Sequence, residues 1–196
     1  MLNFVQKKSR VFPDLATNAA RLTPWQKFQL ATNNSVSPST ASVALISAAW
    51  GQALDRPSGW GEGDEAFGKR FGANMARSAS ANIFGTFLIA SVLHEDPRFY
   101  LRQHLSFKQN LKYAADRVIH TRSDFGSRAI NYSGLIGPLA SESLANTYYP
   151  DANRGAGATF TRYGSDLAWK FAGNLARQYW PVINKKIRIL PSAPTQ

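Results

Sequence analysis

The sequence predicts an all-α protein, and three observations support that fold class. Helix start signals recur, since residues 23–24 (Thr-Pro) and 37–38 (Ser-Pro) each place a capping side chain before an N1 proline. Ser106, followed three residues later by Gln109, has the form of a capping box. Alternation of apolar and polar residues between hairpin turns, which would indicate strands, is hard to find.

Signals of this kind predict six helices. The first two begin at the Thr-Pro and Ser-Pro pairs, and the fourth begins at the capping box. Because 196 residues suit one hydrophobic core, we expect a single helical domain at 23–183, between an N-terminal extension at 1–22 and a basic C-terminal tail at 184–196. The predicted helices lie at residues 24–33, 38–54, 64–93, 106–120, 133–147 and 156–179.

A phrase of ten residues occurs twice, as GDEAFGKRFG at 63–72 and as GAGATFTRYG at 155–164. Small residues recur every four positions through both copies and in the helix that contains GLIGPLASESLA. Spacing of four draws a stripe along one helix face, where a partner backbone can approach closely. A leucine at Gly72 or Gly164 is therefore expected to destabilise the fold strongly. The predicted packing seam comprises Gly68, Gly72, Ala76, Gly137, Ser141, Gly164 and Ala168.

Each copy of the phrase follows a helix and a connector rich in Gly, Pro and Asp, either DRPSGWGEG or PDANRGAG. We therefore predict two related helical hairpins, at about residues 38–93 and 131–180, with a helical insertion between them. The insertion has no counterpart in the repeat, and segments that a scaffold does not need are often where function lies.

The balance of charge favours an anionic partner. The chain has 23 lysines and arginines against 12 aspartates and glutamates, a net charge of +11. Nucleic acid, an anionic bilayer surface and acidic glycans all fit that charge. The sequence contains no cysteine, which excludes disulfides, thiolate zinc sites and a thiol nucleophile. Histidines and carboxylates show no metal-ligand spacing, so we expect no metal and no cofactor.

The densest polar cluster, HEDPRFY at residues 94–100, is the candidate catalytic site if the protein is an enzyme. His94 beside Glu95 and Asp96 has the composition of a general base with an orienting carboxylate, and Arg98 adds a cation. The competing interpretation is a helix end, with His94 in the last turn before a proline and the charged residues in salt bridges.

A charged network is predicted around this cluster. Arg122 and Asp124 are expected to pair with the two acidic residues of HEDPRFY and so to lock the insertion across the bundle. Arg70 and Arg162, at equivalent positions of the repeat, are expected to pair with the remaining carboxylates.

An uncharged stretch at residues 78–93 raises the question of a membrane. A spanning helix needs about 20 apolar residues, and this stretch is shorter. We interpret it as a buried core helix, with a helix embedded in or lying along the membrane as the alternative. Aromatic and basic residues gather near both chain ends, which suits either lipid headgroups or solvated helix ends. Examples are Trp25, Lys27, Phe28, Tyr179, Trp180, Lys185 and Lys186.

Motifs from residue 23 to residue 181 resemble those of an uncharacterised family of bacterial, usually exported, helical proteins. They are TPWQKFQLATNNSVSPSTA, GEGDEAFGKRFG, VLHEDPRFY, VIHTRSDFGSRAINYSGLIG, NTYYP and RQYWP, in that order. The resemblance implies an envelope location and one compact unit, and it implies no particular activity. The opening MLNFVQKKSRVFPDL departs from the pattern, because it has no apolar core of the length that a signal peptide needs. A cytoplasmic location therefore stays as the alternative.

The sequence thus predicts a non-enzymatic basic helical module of the bacterial envelope, which docks on an anionic membrane surface or a membrane protein. The first alternative is a hydrolase or lipid-modifying enzyme built on the HEDPRFY cluster. The second is a nucleic-acid-binding protein, which rests on charge alone because no helix-turn-helix signature or aromatic stacking platform is present. A homo-oligomer is possible in each case.

Overall fold

The computed structural model describes residues 2–3 and 8–187, and these residues are mostly helical, which confirms the helical fold class. The rest of the predicted N-terminal extension and residues 188–196 of the predicted basic tail lie outside the described residues. The helices are α1 (Pro24–Ser35), α2 (Pro38–Ala53), α3 (Gly63–Ala81), α4 (Ala90–Val92), α5 (Phe107–Ile119), α6 (Tyr132–Ala145) and α7 (Ala156–Ile187), and a π-helical segment (Asn82–Ile89) joins α3 to α4. The strands are β1 (Leu2–Asn3), β2 (Glu95–Asp96), β3 (Leu101–Arg102), β4 (His120–Ser123) and β5 (Arg128–Ile130).

The predicted capping residues begin the helices. The Thr23 hydroxyl accepts the backbone N–H of Gln26 at 3.2 Å, and the Gln26 side chain accepts the backbone N–H of Thr23 at 2.9 Å. Ser106 and Gln109 form the same reciprocal pair at the start of α5. Each pair satisfies amides that a helix leaves without partners in its first turn. The sequence therefore sets where these helices begin.

A close helix crossing lies between the π-helical segment and α6. A β-carbon on Gly137 would lie 2.6 Å from the Cα of Gly85, and one on Gly85 would lie 2.5 Å from the carbonyl oxygen of Ser133. Glycine is needed at both positions, because the backbones themselves are in contact. One turn beyond Gly137, Ser141 is buried and donates its hydroxyl to the carbonyl of Arg77 at 2.7 Å.

The small-residue stripes in the two copies of the repeated phrase are not packed. Among the described residues, nothing lies within 4 Å of a β-carbon built on Gly68, Gly72 or Gly164. Ala76 and Ala168 are exposed as well. The prediction that these five residues form a packed seam is wrong, because no helix covers them. A leucine at Gly72 or Gly164 is therefore not expected to destabilise the fold strongly.

The segment predicted as a helical insertion contains strands as well as α5. Strand β4 pairs antiparallel with β2 on one side and β5 on the other. The register sets Glu95 opposite Ser123 and Asp96 opposite Arg122. Strands of two to four residues are too short to show alternation, so a pattern search along the sequence passes over them.

The interior of the molecule is unusually polar. Two small apolar clusters form its hydrophobic core, one of them around Phe12, Phe99 and Tyr113 and the other around Ala145 and Tyr149. The largest fully buried side chains, however, are those of Arg70, Lys27, Glu95, Glu142 and Ser141. More large apolar side chains are exposed than buried, which reverses the usual preference. Within residues 2–3 and 8–187, no helix combines the length and the apolar character that crossing a bilayer requires.

Candidate functional site

The HEDPRFY segment is divided between surface and interior. His94 is exposed in a left-handed backbone conformation (φ +53°), and its Nδ1 lies 3.2 Å from Nη2 of Arg21. Glu95 is buried and accepts the backbone N–H groups of Tyr132 and Ser133, each at 3.0 Å. Those amides open α6, so the Glu95 carboxylate lies at the positive end of that helix dipole. The His94 side chain therefore lies at the surface, whereas the Glu95 side chain lies in the interior at the start of α6.

Asp96 and Arg98 form a separate buried pair. The Arg98 guanidinium donates from Nε and Nη2 to the two Asp96 carboxylate oxygens at 2.9 and 2.8 Å, and the Tyr100 hydroxyl donates to the same carboxylate. Arg98 also donates to the carbonyl of Ala20 at 2.6 Å. The four candidate catalytic residues thus do not converge on one point, and no general base with an orienting carboxylate is assembled from them.

Asp124 pairs with a lysine of α1. The Lys27 amine lies 2.8 Å from Asp124 Oδ2, both side chains are only 1% exposed, and the amine also donates to the carbonyl of Ala90 at 2.9 Å. Nε of Arg21 approaches the same carboxylate oxygen at 3.5 Å. Losing one partner of a desolvated ion pair leaves a buried charge, which costs several kcal/mol. This pair ties α1 to the start of α4 at Ala90 and to the turn after β4.

The predicted pairing of Arg122 and Asp124 with Glu95 and Asp96 is therefore wrong at the level of side chains. Arg122 lies over the ring of Tyr100, with 5.0 Å between the guanidinium carbon and the ring centroid. Among the described residues, Arg122 makes no salt bridge to Glu95 or Asp96. The segment of Glu95 and Asp96 is instead joined to the segment of Arg122 by backbone pairing of β2 with β4.

Arg70 and Arg162, which occupy matching positions in the two occurrences of the ten-residue phrase, do pair with carboxylates. Arg70, 2% exposed, lies 3.1 Å from Asp55, and Arg162 lies 2.6 Å from Glu142. The Arg162 guanidinium also lies over the ring of Tyr149, 4.6 Å from its centroid.

Exposed apolar residues lie next to the groups that bind the Lys27–Asp124 pair, since Lys27 donates to the carbonyl of Ala90 and the Asp124 N–H donates to the carbonyl of His94. We define Val92, Leu93 and Phe125 as the apolar corner. Their exposed fractions are 75, 46 and 74%. Arg21 lies over the ring of Phe125, with 5.1 Å from the guanidinium carbon to the ring centroid. The corner thus presents large apolar side chains directly beside an exposed cation.

A cleft of about 1170 Å³ runs along α7 and is bordered by α2, by α3 with the π-helical segment, and by α6. One wall is an apolar stripe formed by Val43, Ile46 and Trp50 of α2 and by Leu54 at its C-cap, which we call the α2 stripe. These residues are 38, 55, 69 and 49% exposed to solvent, and their spacing of three or four residues places them on one helix face. The opposite wall is a polar stripe of α7, formed by Asp166, Lys170, Asn174 and Arg177.

One end of the cleft holds balanced charge. Arg77 pairs with both Glu142 and Asp166, and Arg162 pairs with Glu142, so two arginines face two carboxylates. Glu142 is completely buried. Burial raises the pKa of Asp166 to about 7, with Arg77 opposing the rise and the neighbouring Glu142 adding to it. This end has the features of a structural ion network.

The other end of the cleft holds an excess of cations. Burial lowers the pKa of Lys170 to about 7, and the charges of Arg117 and Arg177 add to the effect. The Lys170 amine donates to the carbonyl of Gly134 at 2.9 Å. Arg177 is neutralised by Asp14 at 2.8 Å, whereas Nε of Arg117 is buried without a hydrogen-bond partner among the described residues.

Sequence reasoning missed the residues that line this cleft, although one signal was available. Asp166, Lys170, Asn174 and Arg177 recur every three or four residues along the last predicted helix, which marks a polar face. Across the described part of the chain, no three His, Asp or Glu side chains come together as metal ligands would. Comparison with protein-family models, with curated proteins and with solved structures gives no match to the chain.

Proposed function

We propose that the protein is a non-enzymatic, basic helical module of the bacterial envelope that docks on an anionic membrane surface. The observation that supports docking most directly is the apolar corner, where Val92 and Phe125 are three-quarters exposed beside Arg21. Apolar side chains of this kind enter the boundary between headgroups and acyl chains, while cations bind anionic headgroups. The net charge of +11 adds long-range attraction to such a surface.

The reversed burial pattern supports the same proposal. The protein keeps Lys27, Arg70 and Glu142 inside and leaves Val92 and Phe125 outside, and so exposes more apolar surface than solubility alone favours. The buried Lys27 and Glu142 are each paired with an opposite charge, so their burial leaves no isolated charge inside the fold. The exposed apolar side chains are then available for lipid.

Co-flotation of the purified chain with vesicles tests the proposal. We expect the protein to float with vesicles that contain phosphatidylglycerol and not with phosphatidylcholine vesicles. Part of the binding is expected to persist at about 0.5 M salt, where screening removes most purely electrostatic attraction. The double substitution Val92→Ser and Phe125→Ser should abolish the salt-resistant fraction. Absence of flotation with every vesicle would refute docking on lipid.

Phe107→Ser is the matched control, since Phe107 is 64% exposed but lies at the start of α5, outside the apolar corner. It should leave flotation unchanged. If Phe107→Ser reduced flotation as much as the double substitution does, exposed aromatic rings anywhere on the surface would contribute to binding. The apolar corner would then have no specific role in docking. Binding to native envelope membranes but not to protein-free vesicles would assign the corner to a membrane protein instead.

We also propose that residues 38–93 and 131–180 are related hairpins. Arg70 donates to the carbonyl of Arg56, and Arg162 donates to that of Asn153, at 2.9 and 2.7 Å. Each arginine thus binds the connector that precedes its own helix. The connectors also contact each other, since the side-chain amide of Asn153 donates to the carbonyl of Ser58 at 3.0 Å.

Hydrogen exchange in variants of these two arginines tests that relation. Arg70→Met should speed exchange in the first connector and Arg162→Met in the second, by similar factors. If exchange in one connector did not change when its own arginine was replaced, the two hairpins would not be related in this way.

A further inference from the structure

The cleft along α7 is a second site, separate from the apolar corner, and its walls differ in chemistry. The α2 stripe of Val43, Ile46, Trp50 and Leu54 offers apolar surface that nothing among the described residues covers completely. The volume of about 1170 Å³ exceeds the roughly 300–1,000 Å³ that is typical of small-molecule pockets, so the cleft has room for a long ligand. The lining residues of α7 extend from Ala158 to Arg177, which is about 28 Å at 1.5 Å per residue.

The cationic end of the cleft lies beside the start of the apolar stripe. The hydroxyl of Ser39, in the first turn of α2, donates to the carbonyl of Val11 at 2.5 Å. Three residues further along the chain, Asp14 pairs with Arg177 on α7. The first turn of α2 therefore lies near the part of α7 that carries Lys170 and Arg177. Val43, the first member of the stripe, lines the cleft one turn beyond Ser39.

The charges at this end are not fully compensated. Arg177 has Asp14 as its partner, and Glu95 is engaged by the first amides of α6. Lys170 donates only to a neutral carbonyl, that of Gly134, and no carboxylate lies within salt-bridge distance of it among the described residues. The buried Nε of Arg117, which lines the same cleft, has no acceptor there. Buried donors without acceptors cost free energy that an entering anion would recover.

We propose that this cleft binds an anionic acyl amphiphile, with the chain along the α2 stripe and a carboxylate or phosphate head beside Lys170 and Arg117. The apolar wall takes the chain because an acyl group gains from every apolar contact that removes it from water. The head takes the hydrogen bonds that Lys170 and Arg117 lack. The site does not require the apolar corner, so it can stand or fall independently of membrane docking.

Binding of monomeric amphiphiles to the purified full chain, measured by calorimetry, tests the inference. The probes are oleate, 1-oleoyl lysophosphatidate, oleyl alcohol as the neutral chain, and inorganic phosphate as the head alone. We expect saturable binding of one or both anionic amphiphiles, and the tighter of the two identifies the head. Oleyl alcohol should bind at least about tenfold more weakly, because it lacks the charge that Lys170 recognises.

Two substitutions separate the contributions of chain and head. Ile46→Glu places a charge on the apolar wall and should weaken the binding of the tighter anionic amphiphile and of oleyl alcohol alike, by about tenfold or more. Lys170→Met should weaken the tighter anionic amphiphile by about tenfold and leave oleyl alcohol nearly unchanged. Leu45→Glu is the matched control, since Leu45 is 51% exposed on the same helix, against 55% for Ile46, but does not line the cleft.

Four results would overturn the inference. The first is the absence of saturable binding, and the second is an equal loss of binding from Leu45→Glu and Ile46→Glu. The third is an unchanged affinity of Lys170→Met for the tighter anionic amphiphile, and the fourth is inorganic phosphate that binds as tightly as the amphiphiles. Vesicle flotation of Ile46→Glu keeps the two proposals apart, because it should match that of the original protein if the apolar corner alone docks on lipid. Amphiphile binding without flotation would leave the cleft intact and remove the docking function.

Discussion

The close crossing at Gly85 and Gly137 and the stripes around Gly72 and Gly164 both involve small residues on one helix face. Another helix covers that face only at the crossing. At the crossing, an added β-carbon would lie 2.5 to 2.6 Å from backbone atoms of the partner helix. Along the stripes, an added β-carbon would meet nothing among the described residues within 4 Å. Small residues four apart identify one face of a helix, but whether that face is covered depends on where the other helices go.

The difference also shows what holds the uncovered regions in place. On α7 the exposed Gly164 is followed two residues later by Asp166, which turns inward to Arg77 at 2.7 Å. The helix is therefore anchored by its polar face and leaves its small-residue face free. On α6 the buried face carries both Gly137 and Glu142, so packing and ion pairing act on the same side.

Leucine substitutions at the two kinds of glycine should produce the largest contrast. Gly137→Leu should destabilise the fold by at least about 3 kcal/mol or prevent folding, because its side chain would overlap the backbone of Gly85. Gly164→Leu should be close to neutral, since the side chain enters open space and leucine favours helix more than glycine does. Denaturant unfolding of both variants, followed by circular dichroism, measures the contrast. Similar stabilities for the two variants would break the comparison.

A pH series on Asp166→Asn probes the polar anchor of α7. An unfolded aspartate titrates near 3.8, whereas burial raises the pKa of Asp166 to about 7 in the folded protein. Ionisation therefore costs the folded state stability as pH rises from about 4 to about 7, and the full cost remains above pH 7. The asparagine variant avoids that cost, so its advantage over the original protein should grow across this window. We expect about 1–3 kcal/mol at pH 8, below the limit set by the pKa difference because asparagine replaces only part of the bond to Arg77.

Unfolding free energies at pH 4.5, 6 and 8 measure this effect. Asp151→Asn is the control, since the Asp151 side chain is 91% exposed, and it should follow the original protein at every pH. A constant difference between Asp166→Asn and the original protein across the series would mean that Asp166 ionises normally and that the anchor is not desolvated.

Local signals in the sequence predict the helices well. The capping boxes at Thr23 and Ser106 form as written, because a cap depends only on residues within one turn. The helix ends are less well predicted, since α7 continues through Pro181 to Ile187 rather than stopping at residue 179. Strand β2 was missed because its partner β4 lies 26 to 28 residues further along the chain. The hairpin of β4 and β5 was missed because its strands, of four and three residues, are too short to leave a periodic trace.

The candidate site depends on long-range partners and was predicted less well. HEDPRFY was singled out correctly as a dense polar segment, but proximity in sequence says nothing about which side chains face each other. The charge pattern groups Lys27 with the basic residues near the chain ends, yet Lys27 is buried against Asp124, 97 residues away. Its position on one helix face with the buried Leu30 and Ala31 was the signal that could have placed it inside.

Alanine substitution at Gly72 gives the smallest effect and the most sensitive test of the exposed stripe. Alanine in a helix is favoured over glycine by about 0.5–1 kcal/mol, and a β-carbon on Gly72 meets no described atom within 4 Å. Gly72→Ala should therefore raise the melting temperature by about 1–4 °C in a domain of this size. Gly137→Ala, measured beside it, should lower the melting temperature, because its β-carbon would lie 2.6 Å from Gly85. If Gly72→Ala is destabilising, and more so at higher protein concentration, then copies of the chain pack through this stripe and it is not free in solution.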